Sequence, residues 1–274
     1  AATASHVRLY RLFGVQRILM ANQLVGRANL DLVFDELRAD PGFDFYCLVD
    51  SIAGLELLLA ALRERPIGRP LQLLLEVGIA GGRTGVRSED EGVALGRAVR
   101  DAGLLVALRG LEAFEGIAPG PEAARVELGV HTMLDRIAAL ARQGLQEGWF
   151  APGELLLTAG GSAFFDLAAQ VLAAARAACP DRAVRVVLRS GCYLTHDALH
   201  YERMQARMRQ RSPEAWGSSA GLLNAIEVWS TVQSVPEPQR AICALGRRDI
   251  SYDMELPRVL WWYRPGLHDR PQPA

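Results

Sequence analysis

Residues 71–87 read LQLLLEVGIAGGRTGVR, and residues 88–100 continue as SEDEGVALGRAVR. Leu71 to Val77 is apolar except for Gln72 and Glu76, the texture of a strand buried on both faces rather than of a half-exposed one. Gly78 to Arg87 is a glycine-rich loop. Ser88 and Glu91 then stand at capping-box spacing, S-x-x-E, which predicts that a helix starts there.

The same strand, loop and helix recur on both sides. Upstream, Val15–Met20 predicts a strand, Asn22–Gly26 a loop and Asn29–Arg38 a helix. Phe43–Val49 is the next strand, with Asp50 or Ser51 placed to cap the helix after it. Downstream, Leu104–Leu108 predicts a fourth strand that ends in the loop Arg109–Gly116, and Pro121–Gln146 a long helix. Glu154–Thr158 is a fifth strand, followed by Gly160, Gly161 and a helix over Asp166–Ala178. Val184–Leu188 is a sixth, ending at Arg189-Ser190-Gly191. Regular alternation of apolar strands and helices predicts a parallel α/β fold. Periodicity does not separate a barrel from an open sheet, because both bring the loops after the strands to one functional edge.

Past Asn224 the texture changes. Ile226–Val232 alternates, Val235-Pro236-Glu237-Pro238 interrupts it, and Ala241–Leu245 and Arg258–Tyr263 are further strand-like runs. The expectation is an α/β domain over 1–223 and the start of a smaller β-rich domain over 224–274, cut off within an element. Trp261, Trp262 and Tyr263 are expected as buried strand or interface aromatics, and Arg247, Arg248, Asp249 and Asp253 as a charged turn at the domain junction.

The chain of 274 residues has 30 basic against 31 acidic residues, a net charge of −1, so it carries no electrostatic footprint for nucleic acid. Half of it is hydrophobic, enough for a large core. Apolar stretches such as Leu57–Leu62 fall far short of the roughly 20 residues that span a bilayer, and no basic-then-apolar leader opens the chain. A soluble, cytoplasmic protein is expected. All 30 basic residues are arginine, which excludes any mechanism using a lysine of this chain as base or Schiff-base amine. Cys47, Cys179, Cys192 and Cys243 are scattered and suggest neither a zinc site nor a disulfide framework.

Three loops could carry chemistry. In Glu76–Arg87 the glycines allow close backbone approach, and Arg83 and Arg87 can meet an anion or a phenolate oxygen; a plain loop with solvated arginines is the alternative. The loop lacks the lysine of a Walker A motif and does not match G-x-G-x-x-G. Thr158-Ala159-Gly160-Gly161-Ser162 offers successive N–H groups and a hydroxyl between strand and helix, either a phosphate cradle or an ordinary βα turn. Arg189-Ser190-Gly191-Cys192-Tyr193 offers a second donor loop with an aromatic ring. Gln23 lies at a strand end, where an amide can line the mouth or merely pack. His196 and Asp197 read as helix-entry and surface residues; without a nucleophile they form no triad.

Taken in order, the segments ILMANQLVG, CLVDS, LLLEVGIAGGRTGVR, LLTAGGSAFFD, VLRSGCYLTHD and GRRDISYD resemble the fold-type III pyridoxal-phosphate enzymes. The group is that of D-serine dehydratase and D-threonine aldolase, often labelled amino-acid deaminases. The resemblance implies a (β/α)8 TIM-type barrel of the alanine racemase N-terminal kind followed by a β domain. It implies pyridoxal 5'-phosphate as cofactor, with Arg83 toward the 3-hydroxyl and Arg189 toward the pyridine nitrogen. Gly160, Gly161, Ser162, Gly191 and Cys192 would bind phosphate, with Tyr193 alongside and Gln23 at the mouth. The family's Schiff-base lysine belongs to a first strand ahead of residue 1, and its His and Cys ligands for a divalent metal, zinc or manganese in type, lie beyond residue 274. No catalytic residue and no metal ligand is therefore expected in this chain, which reads as a fragment inactive by itself. The implied activity is a lyase acting on a D-hydroxy amino acid, a D-serine dehydratase or deaminase first and a D-threonine aldolase second, homodimeric when complete. A non-catalytic barrel that binds pyridoxal phosphate or another phosphate ligand is the alternative from a different class.

Overall fold

Strands that are apolar on both faces require cover on both. The computed structural model shows helices on one face and a small apolar plug on the other. It describes residues 1–116, 123–192, 195–196, 198–213, 221–223, 225–253 and 255–274, which divide into two units, Ala1–Ser190 and Gly191–Ala274.

The first unit runs α1 (Ala4–Leu12), β1 (Arg17–Gln23), α2 (Arg27–Ala39), β2 (Asp44–Val49), α3 (Ile52–Glu64), β3 (Leu71–Val77), α4 (Glu89–Asp101), β4 (Val106–Ala113), α5 (Ala123–Gln146), β5 (Leu155–Ala159), α6 (Phe165–Ala177) and β6 (Val184–Leu188). The six strands are parallel and lie in the order β1-β2-β3-β4-β5-β6. A doubly wound sheet reverses its strand order at a switch point, whereas a barrel winds onward in sequence. The order therefore resolves the choice left open by periodicity: this is a parallel α/β half-barrel.

Helix starts follow from the side chains. Ser51 Oγ accepts from Gly54 N at 3.1 Å ahead of α3, and Ser88 Oγ accepts from Glu91 N at 3.1 Å ahead of α4. Glu91 completes its half of the cap on Arg87 N, at 2.6 Å. Apolar stripes at helical spacing, such as Leu55, Leu58, Leu59 and Leu62, pack on Phe45, Cys47, Val49, Leu71, Leu73 and Leu75 in one large outer core. The alternate strand residues Tyr46, Leu48 and Leu74, with Leu19 and Leu156, form a separate inner cluster. Burying each such side chain stabilises the fold by about 1.5–3 kcal/mol.

One irregularity determines what faces inward. Leu73 pairs with Leu108, but Leu74 pairs with Gly110, so Arg109 is an extra residue, a β-bulge. Strict alternation from Leu108 would send Gly110 and Glu112 to the helix-covered face. The bulge reverses the phase, and Leu111 and Ala113 join the outer core while Glu112 stays off it. Gly110 is obligatory there, since a Cβ would lie 1.9 Å from Leu156 O. The fourth strand therefore differs from the expectation: Gly103–Leu105 is a turn of 3-10 helix, and the strand occupies most of the expected loop.

In the second unit, α7 (Ala198–Arg211) is followed by β7 (Val232–Glu237) paired antiparallel with β8 (Arg240–Cys243), and β9 (Trp261–Trp262) paired antiparallel with β10 (Gln272–Pro273). Residues 225–231 are not a strand, and Pro236 lies inside β7 rather than breaking it. An exposed two-stranded ribbon accepts a proline because its outward edge needs no N–H donor. Trp261, Trp262 and Tyr263 are 45–47% exposed, which is not the buried-strand alternative and leaves the interface one, since among the described residues the two short pairs put no second layer over them. The GRRDISYD turn closes on itself through Gly246 N to Asp249 Oδ2, 2.8 Å. All four cysteines are free. Among the described residues no helix is long and apolar enough to cross a membrane.

Candidate functional site

Parallel strands end at one edge, and here that edge is polar. Above the inner apolar layer stand Gln23 of β1, Glu76 of β3, Glu112 of β4 and Thr158 of β5, with Arg189 directly after β6. Glu76, Glu112 and Thr158 are consecutive register partners across β3, β4 and β5, and all three are buried. Glu76 accepts from Gln23 Nε2 and from Thr84 Oγ1, both at 2.5 Å. Arg189 donates through Nη2 to Glu112 Oε1 and to Ala113 O, the latter at 2.7 Å, and through Nε to Thr158 Oγ1 at 3.0 Å. Thr158 Oγ1 in turn donates to Val187 O at 2.7 Å.

Glu112 Oε2 is buried and has no hydrogen-bond partner among the described residues. Burial pushes the Glu112 carboxyl up to about 8; Arg189 pulls the other way, while Glu76 and Glu115 add to the rise. Burial likewise raises Glu76, against its Thr84 and Gln23 hydrogen bonds. The site thus holds one fixed arginine and two carboxyls whose pKa values burial raises.

The glycine loop after β3 is held by its own arginine. Gly78 N donates to Val86 O at 3.0 Å and Val86 N to Glu76 O at 2.9 Å. Arg87 donates to Thr84 O at 2.5 Å and to Gly82 O at 3.0 Å. Arg87 is therefore a structural clasp, and Arg83, exposed, makes no hydrogen bond to the described residues. A recess of about 10 Å³, room for one water, lies between Glu76, Arg83, Thr84 and Phe114.

The loop after β5 is tied on both sides. Gly160 N donates to Glu115 Oε2 at 3.2 Å and Gly161 N to Glu115 Oε1 at 2.5 Å. Ser190 Oγ donates to Gly160 O, and Arg189 N to Ala159 O at 3.1 Å. Ser162 is half-buried.

Of the residues singled out from sequence, Gln23, Arg83, Gly160, Gly161, Ser162 and Arg189 lie on loops or strand ends at this edge. Gly191 and Cys192 are exposed residues of the second unit, and Tyr193 lies outside the described residues. Sequence reasoning assigned no role to Glu76, Glu112 or Glu115. The available signal was a glutamate at the end of each apolar run, LLLEV and GLEAFEG. His196 stacks on Tyr201 with ring centroids 4.5 Å apart, within the second unit. Among the described residues no group of three His, Cys, Asp or Glu is arranged to hold a metal.

The chain is thus a parallel barrel arc with buried carboxyls, a fixed arginine and two glycine loops at its C-terminal strand edge, the edge where barrel proteins carry their sites. The family model described as "Putative serine dehydratase domain" matches residues 225–270. D-threonine aldolase of Arthrobacter sp is 26% identical over 254 residues, covering 93% of this chain and 59% of the relative. The crystal structure of D-threonine aldolase from Filomicrobium marinum superposes with a TM-score of 0.65 at 21% identity, covering 99% of this chain and 65% of that one. A metal-free variant of D-threo-3-hydroxyaspartate dehydratase superposes with a TM-score of 0.52 at 22% identity, over 74% of this chain and 48% of that one. The chain spans about three fifths of the length of the curated relative it matches. Together these findings show that the chain is similar in sequence to a D-threonine aldolase and shares the fold of a solved D-threonine aldolase structure.

Proposed function

We propose that the chain forms the cofactor-binding edge of a pyridoxal-phosphate-dependent lyase of the D-serine dehydratase (deaminase) type, acting on a D-configured hydroxy amino acid. The observation that carries this reading is the polar group at the strand ends: Arg189 locked by Glu112, Thr158 and Ala113 O, with Glu112 Oε2 buried beside it and without a partner among the described residues. A buried oxygen without a partner costs about 1–3 kcal/mol and suits a site completed by a polar ligand atom.

The donor set fits pyridoxal phosphate, which is an anionic ester on a ring that bears a hydroxyl and a nitrogen. Ser162 and its loop would hold the phosphate, Arg83 the hydroxyl oxygen, and Arg189 the ring-nitrogen side. When bound, the cofactor supplies an electron sink for bond breaking at the amino acid's α-carbon. The chain's own residues bind and orient. Glu112 and Thr158 fix the plane of Arg189, Glu76 gathers Gln23 and Thr84, and the layer of Tyr46, Leu48 and Leu74 excludes water from beneath. With no lysine in the chain and no metal set among the described residues, no amine or metal step is assigned to them.

D-threonine aldolase activity is the second reading, favoured by the name of the relatives that cover 93% and 99% of the chain. The test uses the polypeptide of the whole reading frame with pyridoxal phosphate. D-serine yielding pyruvate and ammonia supports the dehydratase; D-threonine yielding glycine and acetaldehyde supports the aldolase. No turnover and no cofactor absorbance would overturn both.

A further inference from the structure

We propose that Glu115 is a positioning residue of the phosphate loop: its carboxylate takes the backbone N–H groups of Gly160 and Gly161, and so sets the loop whose next residue, Ser162, meets the ligand's phosphate. This rests on the ligand reading above and adds to it a residue with no other assigned role.

The geometry is that of a buried anion in an amide cradle. Each carboxylate oxygen of Glu115 receives one N–H, at 3.2 and 2.5 Å, and Glu115 has no exposed surface. Two backbone dipoles aimed at one carboxylate are the recognition used for phosphate, so the cradle has the right chemistry but is filled from within. A second anion cannot share those two protons. Phosphate must therefore take the next donors along the loop, or else displace Glu115.

The packing favours the first of these. A Cβ on Gly161 would lie 2.7 Å from Gly116 Cα and 2.8 Å from Gly116 N, so the two loops touch backbone to backbone. Gly160 has φ +109, which L side chains rarely adopt, and its carbonyl is held from the other side by Ser190 Oγ. The loop is clamped between the ends of β4 and β6, and Glu115 is the β4 half of the clamp. Burial raises the Glu115 pKa, against the backbone N–H groups of Glu115 itself, Gly160 and Gly161, which lower it.

The test compares wild type, Glu115→Gln and Glu115→Ala in the 274-residue chain. Amide hydrogen exchange is followed by NMR, and affinities for pyridoxal phosphate, inorganic phosphate and phosphate-free pyridoxal by titration. Expected are protected Gly160 and Gly161 amides in wild type, exchanging about 10-fold faster in either variant while Leu157 in β5 stays protected. Binding of pyridoxal phosphate and of phosphate should weaken about 10-fold, with pyridoxal unchanged. Tighter phosphate binding in the variants would make Glu115 a competitor and overturn the proposal, as would unchanged binding or unchanged exchange. Rapid exchange of the two amides in wild type overturns it without any variant, should neither variant fold. If wild type binds none of the three ligands, the ligand reading and this proposal fall together. If wild type binds and the variants match it, only this proposal falls.

Discussion

Glu76 and Glu112 are register partners on β3 and β4, both buried, and only Glu112 has an arginine. Glu76 relies on Gln23 and Thr84 instead. Burial in a dry layer raises the pKa of both carboxyls, and the charge of Glu76 adds to the rise at Glu112.

Stability should therefore fall as pH rises. Glu112 moves from 4.5 to about 8 on folding, so between those values the folded chain binds protons that the unfolded chain has released. Each increment of pH in that window then favours unfolding, by a few kcal/mol at most over the whole window. Urea midpoints should be higher at pH 5 than at pH 8, and Glu112→Gln should shrink that difference. A wild-type midpoint that stays level or rises over this range would show that Arg189 keeps Glu112 ionised.

The Arg189 network should be non-additive. Arg189→Ala removes the donor to Glu112, Thr158 and Ala113 O together, and leaving a buried acceptor unsatisfied costs about 1–3 kcal/mol. Glu112→Gln keeps the shape and an acceptor, and should cost less. In the double variant the loss should be smaller than the sum by about 1–2 kcal/mol, because each change spoils the same contact. Additive unfolding free energies would mean that the two side chains do not act as a unit.

Much of the fold was legible because burial on both faces leaves a plain apolar signature. Leu71–Val77 and Val184–Leu188 are strands with the bounds the sequence suggests. The fourth strand was misplaced because a bulge is a property of pairing: nothing within VALRGLEA says that Arg109 is skipped. The glycine loops could be found from their glycines, but their partner could not, since Glu115 lies 45 residues before Gly160. In the second unit, the aromatic run allowed either a buried strand or an interface, and the described two-stranded pairs leave it exposed.

The bulge itself is testable, because with Arg109 in the chain it is the skipped residue that keeps Glu112 on the inner face. Gly110→Ala would place a Cβ 1.9 Å from Leu156 O and 2.7 Å from Leu156 C, atoms of the neighbouring strand's backbone that cannot yield without breaking the β4–β5 ladder. The expected loss is about 3 kcal/mol or more, at the upper end of overpacking costs. Gly191→Ala is the control: nothing lies within 4 Å of its Cβ position, and the change should stay within about 0.5 kcal/mol. Deletions separate phase from packing. Removing Arg109 leaves Leu108 and Gly110 as consecutive partners of Leu73 and Leu74, so Glu112 keeps its place opposite Glu76. Removing Leu111 turns Glu112 toward the apolar helix face. The first deletion should fold and retain the fall in stability toward pH 8, and the second should not fold; if both fold equally well, the bulge does not set the register.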